Sequence, residues 1–273
     1  MNVADSPQSL HGLHGQRGPL KISVITVVRN GRDFVEQTIQ SVLEQQYQPV
    51  EYIVVDGGST DGTLDIIKSH GGRISKWISE PDSGISDAFN KGLALSSGDY
   101  LLFLNADDRL ATPDVIGRMA QAIADAGFTE LIYGDCNVID RQSGQYLYTA
   151  SIEFAPRAFK WGRTFPHPSL FTSRSYFERY GRFDTAFRIA MDYEFFLRGA
   201  LATRVVHEKF LVTEVRNGGM STNRAAAVEE IVRALRKNGI VRTAAGAWAL
   251  RGYFTGRSFM RKAREALMPS AKQ

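Results

Sequence analysis

The chain has 273 residues, 43% of them apolar, with one cysteine and a formal net charge of +4. That length suits one large domain or one domain with an appendage, and the apolar fraction suffices for a sizeable core. The lone Cys136 excludes an internal disulfide, no Cys/His spacing points to zinc, and no run of about eighteen apolar residues offers a membrane span.

Residues 1–19 are polar and rich in Gly, His, Ser and Gln, without the apolar stretch of a signal peptide, and are expected to be a disordered leader. A cytoplasmic protein is the corresponding expectation. Ile22 to Val28 is a β-branched run, the pattern of a fully buried strand, and Asn30-Gly31 ends it. Phe34, Ile39, Val42 and Leu43 then recur at helical spacing, so a helix is predicted over 32–46. Tyr52 to Val55 is a second buried strand, followed by a Gly-rich turn and a helix with Thr60 or Asp61 as N-cap. Ile74 to Ser79 reads as a third strand, Ile85 to Leu95 as a helix, and Tyr100 to Leu104 as a fourth strand. Short apolar strands alternating with helices predict a mostly parallel central sheet with helices on both faces.

Beyond Asp108 a helix is expected from Pro113 to Ala126, then strands over 131–136 and 145–149 around the Asp140–Gly144 turn. Short helices are expected at 174–180 and 192–201, late strands at 205–206 and 210–215, a Gly-rich loop at 216–223 and a helix at 225–237. From Ile231 onward ten basic residues face a single acid, Glu265, a net +9 that leaves −5 on the rest of the chain.

The fourth strand ends in Asn105-Ala106-Asp107-Asp108. Ligands of open α/β sheets bind at the carboxyl ends of the strands. Adjacent carboxylates there repel each other unless a cation or a shared proton relieves them, which suits a hard divalent cation holding a phosphate-bearing substrate. An acidic turn with no ligand accounts for the same residues. No Gly-Lys-Ser/Thr follows a strand, and Val27-Val28-Arg29-Asn30-Gly31 stands where a dinucleotide fingerprint would. Neither a P-loop ATPase nor a dehydrogenase is favoured.

The ordered motifs TVVRNG, VVDGGSTDGT, EPDSGISDAFNKG, YLLFLNADD and MDYEFFLR resemble those of the family-2 glycosyltransferases. The resemblance spans roughly residues 20 to 220. It implies a GT-A fold over 20–222 and an inverting transfer of a sugar from a nucleoside diphosphate with Mn²⁺ or Mg²⁺, while the charge pattern beyond it predicts a helical basic extension over 223–273. It assigns Thr26, Val28, Arg29 and Asn30 to the nucleotide pocket and Asp56 to a uracil base, favouring a UDP-sugar. Asp82 falls near the nucleoside and Lys91 towards the diphosphate. Asn105-Ala106-Asp107 stands where the family has Asp-x-Asp, so Asp107 becomes the metal ligand with Asp108 in support. Asn105 keeps an oxygen but loses a charge. Asp192 matches the general base, with Glu194 as the second choice and Met191 where the family has Glu. His167 falls on the acceptor or diphosphate side. No His stands in the 216–221 loop, so Arg216 or Asn217 is the phosphate contact there.

The basic tail, with Trp248, Tyr253, Phe254 and Phe259 interleaved, reads as a helix for an anionic membrane surface, peripheral at the inner face of the plasma membrane, or as a helix packed on the domain with a charged outer face. A lipid-linked or growing oligosaccharide acceptor fits the first reading. No nucleic-acid motif accompanies the charge. Two rivals stand beside the transferase: a nucleotidyltransferase on a similar sheet, and a non-catalytic sugar-nucleotide-binding or scaffolding protein.

Overall fold

A computed structural model describes residues 18–218 and 224–254. The leader, most of the 216–223 loop and the basic residues beyond 254 lie outside the described residues.

Four strands build the first half of the sheet: β1 (Ile22–Val28), β2 (Val50–Asp56), β3 (Lys76–Ser79) and β4 (Tyr100–Asn105). All are parallel, in the order β3-β2-β1-β4, with Val28 level with Asp56, Asp56 level with Ser79 and Val27 level with Asn105. Their carboxyl ends therefore form one edge. The helices between them are α1 (Val35–Leu43), α2 (Thr63–Ser69) and α3 (Ile85–Leu95).

The period of two along each strand sorts side chains into two cores. Ile25 and Val27 of β1, with Leu101 and Phe103 of β4, face α3. Val24 and Val28, with Leu102 and Leu104, face α1 and α2. Helix α3 lies so close that a Cβ on Gly92 would sit 2.3 Å from a methyl of Ile25. Gly62 is the N-cap residue of α2, and Asp61 just before it accepts the Thr63 and Arg32 amides instead of capping the helix end.

The second half is mixed. A two-residue strand β5 (Arg109–Leu110), which no sequence pattern announces, leads into α4 (Val115–Asp125). Then come β6 (Leu131–Ile139), β7 (Tyr146–Ala150), a short helix α5 (Pro156–Phe159), a 3-10 turn at His167–Ser169, β8 (Leu170–Ser173), α6 (Arg174–Tyr180), α7 (Met191–Leu197), β9 (Val205–Arg216) and α8 (Arg224–Lys237). The sheet continues β4-β8-β6-β9-β5, with β7 pairing the far half of β6. The two late strands expected from the sequence are one bulged strand, β9, parallel to β6.

Topology places the remaining pieces at the same edge. Strand β8 runs antiparallel to β4, so the turn that precedes it, with His167, sits where β4 ends. Strands β6 and β9 run level, with Ile139 opposite Arg216, and both finish there. Helix α4 covers the α1 face, while α6, α7 and α8 cover the α3 face. Val232, Ala234 and Leu235 of α8, and Ala247 and Leu250 of the helical residues 244–254, are buried in that second core. The described part of the C-terminal extension is thus packed on the sheet domain. Among the described residues no helix is long and apolar enough to cross a membrane.

Candidate active site

The strand ends surround an open cleft of about 1770 Å³, several times the size of an ordinary small-ligand pocket. Its floor is the β1 and β4 ends, Val28 to Gly31 and Asn105 to Asp108. Its walls are Asp82 to Ile85, the His167 turn, the start of α7 at Arg188 to Asp192, and the end of β9 at Arg216.

The β1 loop is held by the loop after β2. Asn30 has a left-handed backbone (φ 52°) that its short amide side chain tolerates. Its amide donates to Ser59 Oγ at 2.8 Å, its side-chain oxygen accepts the Thr60 amide at 2.9 Å, and Gly31 donates to Thr63 Oγ1 at 2.9 Å. Asp82 lies flat against Gly57: a Cβ there would come within 2.0 Å of its Oδ2. That close approach is what the glycine permits.

Val28, Arg29, Asn30, Asp82, Asn105, Ala106, Asp107, Asp108, His167, Asp192 and Arg216 all line this cleft. Four predicted residues do not. Thr26 is fully buried within the sheet, where its hydroxyl accepts from Tyr52. Lys91 is turned back to the Pro81 carbonyl (2.8 Å) and the Glu80 carboxylate (2.8 Å). Asp56 is buried at the β2 end, and its oxygens accept Ser59 N–H, Ser59 Oγ (2.5 Å) and Ser79 Oγ (2.6 Å). That carboxylate is fully buried and is not part of the cleft lining, so a uracil contact requires the residues that cover it to move. Glu194, the second choice for a base, is buried away from the cleft and paired with Arg198 and Lys237.

Asp107 and Asp108 play different parts. Asp107 faces the cleft and meets Arg141 Nη1 at 2.5 Å. With both side chains partly exposed, such a pair contributes about 1 kcal/mol or less. Asp108 is 1% exposed. One of its oxygens takes the Asn105 amide at 2.9 Å and the other the Arg216 backbone N–H at 3.2 Å. Burial, then the neighbouring Asp107 charge, pushes its carboxyl up to about 7 against those two bonds. Asp108 is therefore a brace for β9, not an open ligand, which corrects its expected place in the metal shell.

Among the described residues no three His, Cys, Asp or Glu side chains cluster as a closed metal cage. The oxygen-only set at the β4 end offers one accessible carboxylate, Asp107. That fits a hard cation which takes one protein carboxylate and completes its shell with substrate phosphate oxygens and water.

Asp192, second residue of α7, lines the cleft, and its Oδ1 accepts its neighbour's amide from Tyr193 at 2.7 Å. The approach to α7 is fixed from outside. Glu230 of α8 accepts the amides of Arg188, Ile189 and Ala190 at 2.8–3.1 Å. His167 packs among Phe89, Phe103, Phe183 and Phe196. Burial lowers its pKa while Asp192 pulls the other way, so a neutral imidazole sits beside the candidate base. Its Nε2 is buried without a partner among the described residues, so the aromatic cage holds this ring more than any polar contact does.

Five arginines, Arg29, Arg141, Arg188, Arg216 and Arg224, line the cleft with four aspartates, Asp82, Asp107, Asp108 and Asp192. Arg141 and Glu230 carried no sequence signal. One looks like part of a solvated turn, the other like the polar face of a terminal helix.

The sequence of residues 23–193 matches the family model described as glycosyl transferase family 2. The chain belongs to that family. An uncharacterised glycosyltransferase of Mycobacterium tuberculosis is 35% identical over 205 residues, covering 74% of this chain and 78% of that protein. A PGL/p-HBAD biosynthesis glycosyltransferase of Mycobacterium bovis is 31% identical over 192 residues, covering 68% and 73%. Of solved structures, Staphylococcus aureus TarS residues 1–349 in complex with UDP-GlcNAc superposes with a TM-score of 0.68 at 17% identity, over 88% of this chain and 73% of that one. The mannosyltransferase PcManGT of Pyrobaculum calidifontis, in complex with GDP-Man and Mn²⁺, gives 0.60 at 19% identity, over 87% and 70%. The chain is a glycosyltransferase with the GT-A fold.

Proposed function

We propose that this glycosyltransferase moves a sugar from a nucleoside-diphosphate sugar to a hydroxyl acceptor with inversion, Asp192 acting as general base. The observation that carries the reading is that Asp107 and Asp192, 85 positions apart by their numbers, line one cleft whose walls are rich in arginine. A diphosphate at the β4 end sets its anionic charge against Arg216 and Arg141. The acceptor enters from the α7 and His167 side, and its hydroxyl oxygen attacks the anomeric carbon. A carbon–oxygen bond forms there as the bond to the diphosphate breaks, the hydroxyl proton passes to Asp192, and the nucleoside diphosphate leaves. A single displacement needs one base and no enzyme nucleophile. A divalent cation held by Asp107 would neutralise charge developing on the leaving diphosphate.

The names of the relatives support a cell-surface glycan as the product. They include the PGL/p-HBAD enzyme and a putative teichuronic acid biosynthesis glycosyltransferase of Bacillus subtilis, 43% identical over 91 residues. The complexes of TarS and PcManGT with nucleotide sugars support the donor class, and PcManGT supports Mn²⁺. The exposed Trp248 (78%), Trp161 and Tyr253, together with the arginine-rich sequence that follows, support contact with an anionic membrane carrying a lipid-linked acceptor.

A thermal-shift panel of UDP- and GDP-sugars with and without Mn²⁺ tests the donor, and transfer assays on the stabilising donor test the chemistry. Asp192→Asn is expected to keep the donor's thermal shift while turnover falls about 10²- to 10⁴-fold. Equal turnover by wild type and variant removes Asp192 from the mechanism.

A further inference from the structure

Phe34, the residue before α1, carries two guanidinium groups. The Arg141 guanidinium carbon lies 4.7 Å from its ring centroid and that of Arg216 4.5 Å. Arg216 is anchored. Its Nη1 donates to the Asp107 main-chain oxygen at 2.7 Å and its Nη2 to Gln37 Oε1 at 2.7 Å. Its Nε is buried without a partner among the described residues, although the side chain lines the cleft and is only 9% exposed. An unmatched guanidinium donor costs free energy unless an acceptor arrives. Arg141 differs. Its backbone amide is fixed to Asn217 Oδ1 at 3.0 Å, while its partly exposed head reaches the cleft and pairs with Asp107. The carboxylate best placed for a cation is thus already neutralised by a side chain of the same protein.

We propose that Arg141 and Arg216, seated together on Phe34, form a clamp for the donor's diphosphate, and that Arg141 serves as the resident counter-cation of Asp107 until a divalent cation takes that carboxylate. Both guanidinium groups contact the Phe34 ring, so the displaced Arg141 head stays at the cleft that Arg216 also lines. A planar guanidinium fork matches a pair of phosphate oxygens, which a lysine at either place would not. Cation and diphosphate binding then become mutually supporting, since each removes what opposes the other. This rests on the donor class proposed above.

The test uses binding and needs no sugar and no nucleobase. Mn²⁺ alone is titrated by the loss of its free electron-spin signal, and inorganic pyrophosphate by calorimetry with and without Mn²⁺. Arg141→Ala is expected to bind Mn²⁺ alone about fivefold more tightly, as a partly exposed counter-charge is removed. The same variant is expected to bind pyrophosphate in Mn²⁺ roughly 10- to 100-fold more weakly, as charge-assisted bonds are lost. Asp107→Asn frees Arg141 without deleting it, so metal-free pyrophosphate binding should rise above that of wild type. Loss of both affinities in Arg141→Ala would mark a structural residue and overturns the proposal. So does unchanged Mn²⁺ affinity, a pyrophosphate affinity within twofold of wild type, or a wild type that binds no pyrophosphate at all. A wild type that transfers sugar while Arg141→Ala binds normally keeps the function and loses the clamp. Arginine-dependent pyrophosphate binding without any sugar transfer does the reverse.

Discussion

Glu51 sits at the opposite edge of the sheet from the cleft, buried at the start of β2. Burial alone would discourage its charge, but Ser23 Oγ (2.7 Å), the Ser97 amide (2.7 Å) and Lys76 Nζ (3.0 Å) all donate to it, and together they hold its carboxyl down at about 2 from an ordinary 4.5. The folded protein therefore binds this proton less readily than the unfolded chain, and acid favours unfolding. The contribution is complete above pH 4.5 and is lost as pH falls through about 2. Glu51→Gln is expected to lower stability at pH 7 by about 1–3 kcal/mol, the scale of charge-assisted buried hydrogen bonds. Urea melts at pH 7 and pH 3 check this. The gap between wild type and variant should narrow at the lower pH, and transfer kinetics below the melting range should be unaffected. At this same scale, Asp107 and Asp192 stand out in the chain because each lies in a short motif at an element boundary, just past the end of β4 and at the start of α7. Arg141 is not, because its partners Asp107 and Phe34 are set by tertiary contact alone.

Between elements, the contact that matters most for the site is Glu230 of α8 on the amides of residues 188–190. Helix α7 has no side-chain cap of its own at Ala190. Glu230 instead ties down the three amides that lead into the helix, and so sets where Asp192 enters the cleft. Glu230→Gln can meet only part of that demand, because a neutral amide oxygen accepts less strongly than a carboxylate. It is expected to lower kcat severalfold more than it changes the donor KM, with a stability loss of about 1–2 kcal/mol. Equal losses in kcat and in donor affinity would instead indicate general loosening of the cleft. The first four strands and their helices follow from local signals: short apolar runs, helical spacing, and Gly, Asn or Pro at the breaks. Strand β5 is two residues long and exists only because β9 passes beside it. No local pattern carries that kind of information.

For the molecule as a whole, the parallel half supplies the floor of the cleft and the mixed half closes it, with α8 sharing the larger core. A chain ending at residue 222 loses the buried Val232, Ala234, Leu235, Ala247 and Leu250. It is expected to unfold at least 10 °C below the full chain, since several buried aliphatic side chains each contribute about 1.5–3 kcal/mol. A chain ending at residue 254 retains all of them and should melt with wild type. Differential scanning calorimetry distinguishes the two. Flotation with anionic vesicles then isolates the basic tail. The full chain should float and the chain ending at 254 should float less, and equal flotation would remove the tail as the membrane contact.

Strand β9 threads between β6 and β5, and Arg216, Glu230 and the helix that bears Glu230 all come after Asp192 in the chain. During synthesis on the ribosome Asp107 and its partner Arg141 emerge before Asp192, while Arg216 and Glu230, which brace the cleft, emerge after it. The proposed site therefore lacks the Arg216 and Glu230 contacts until the chain has been made past residue 230.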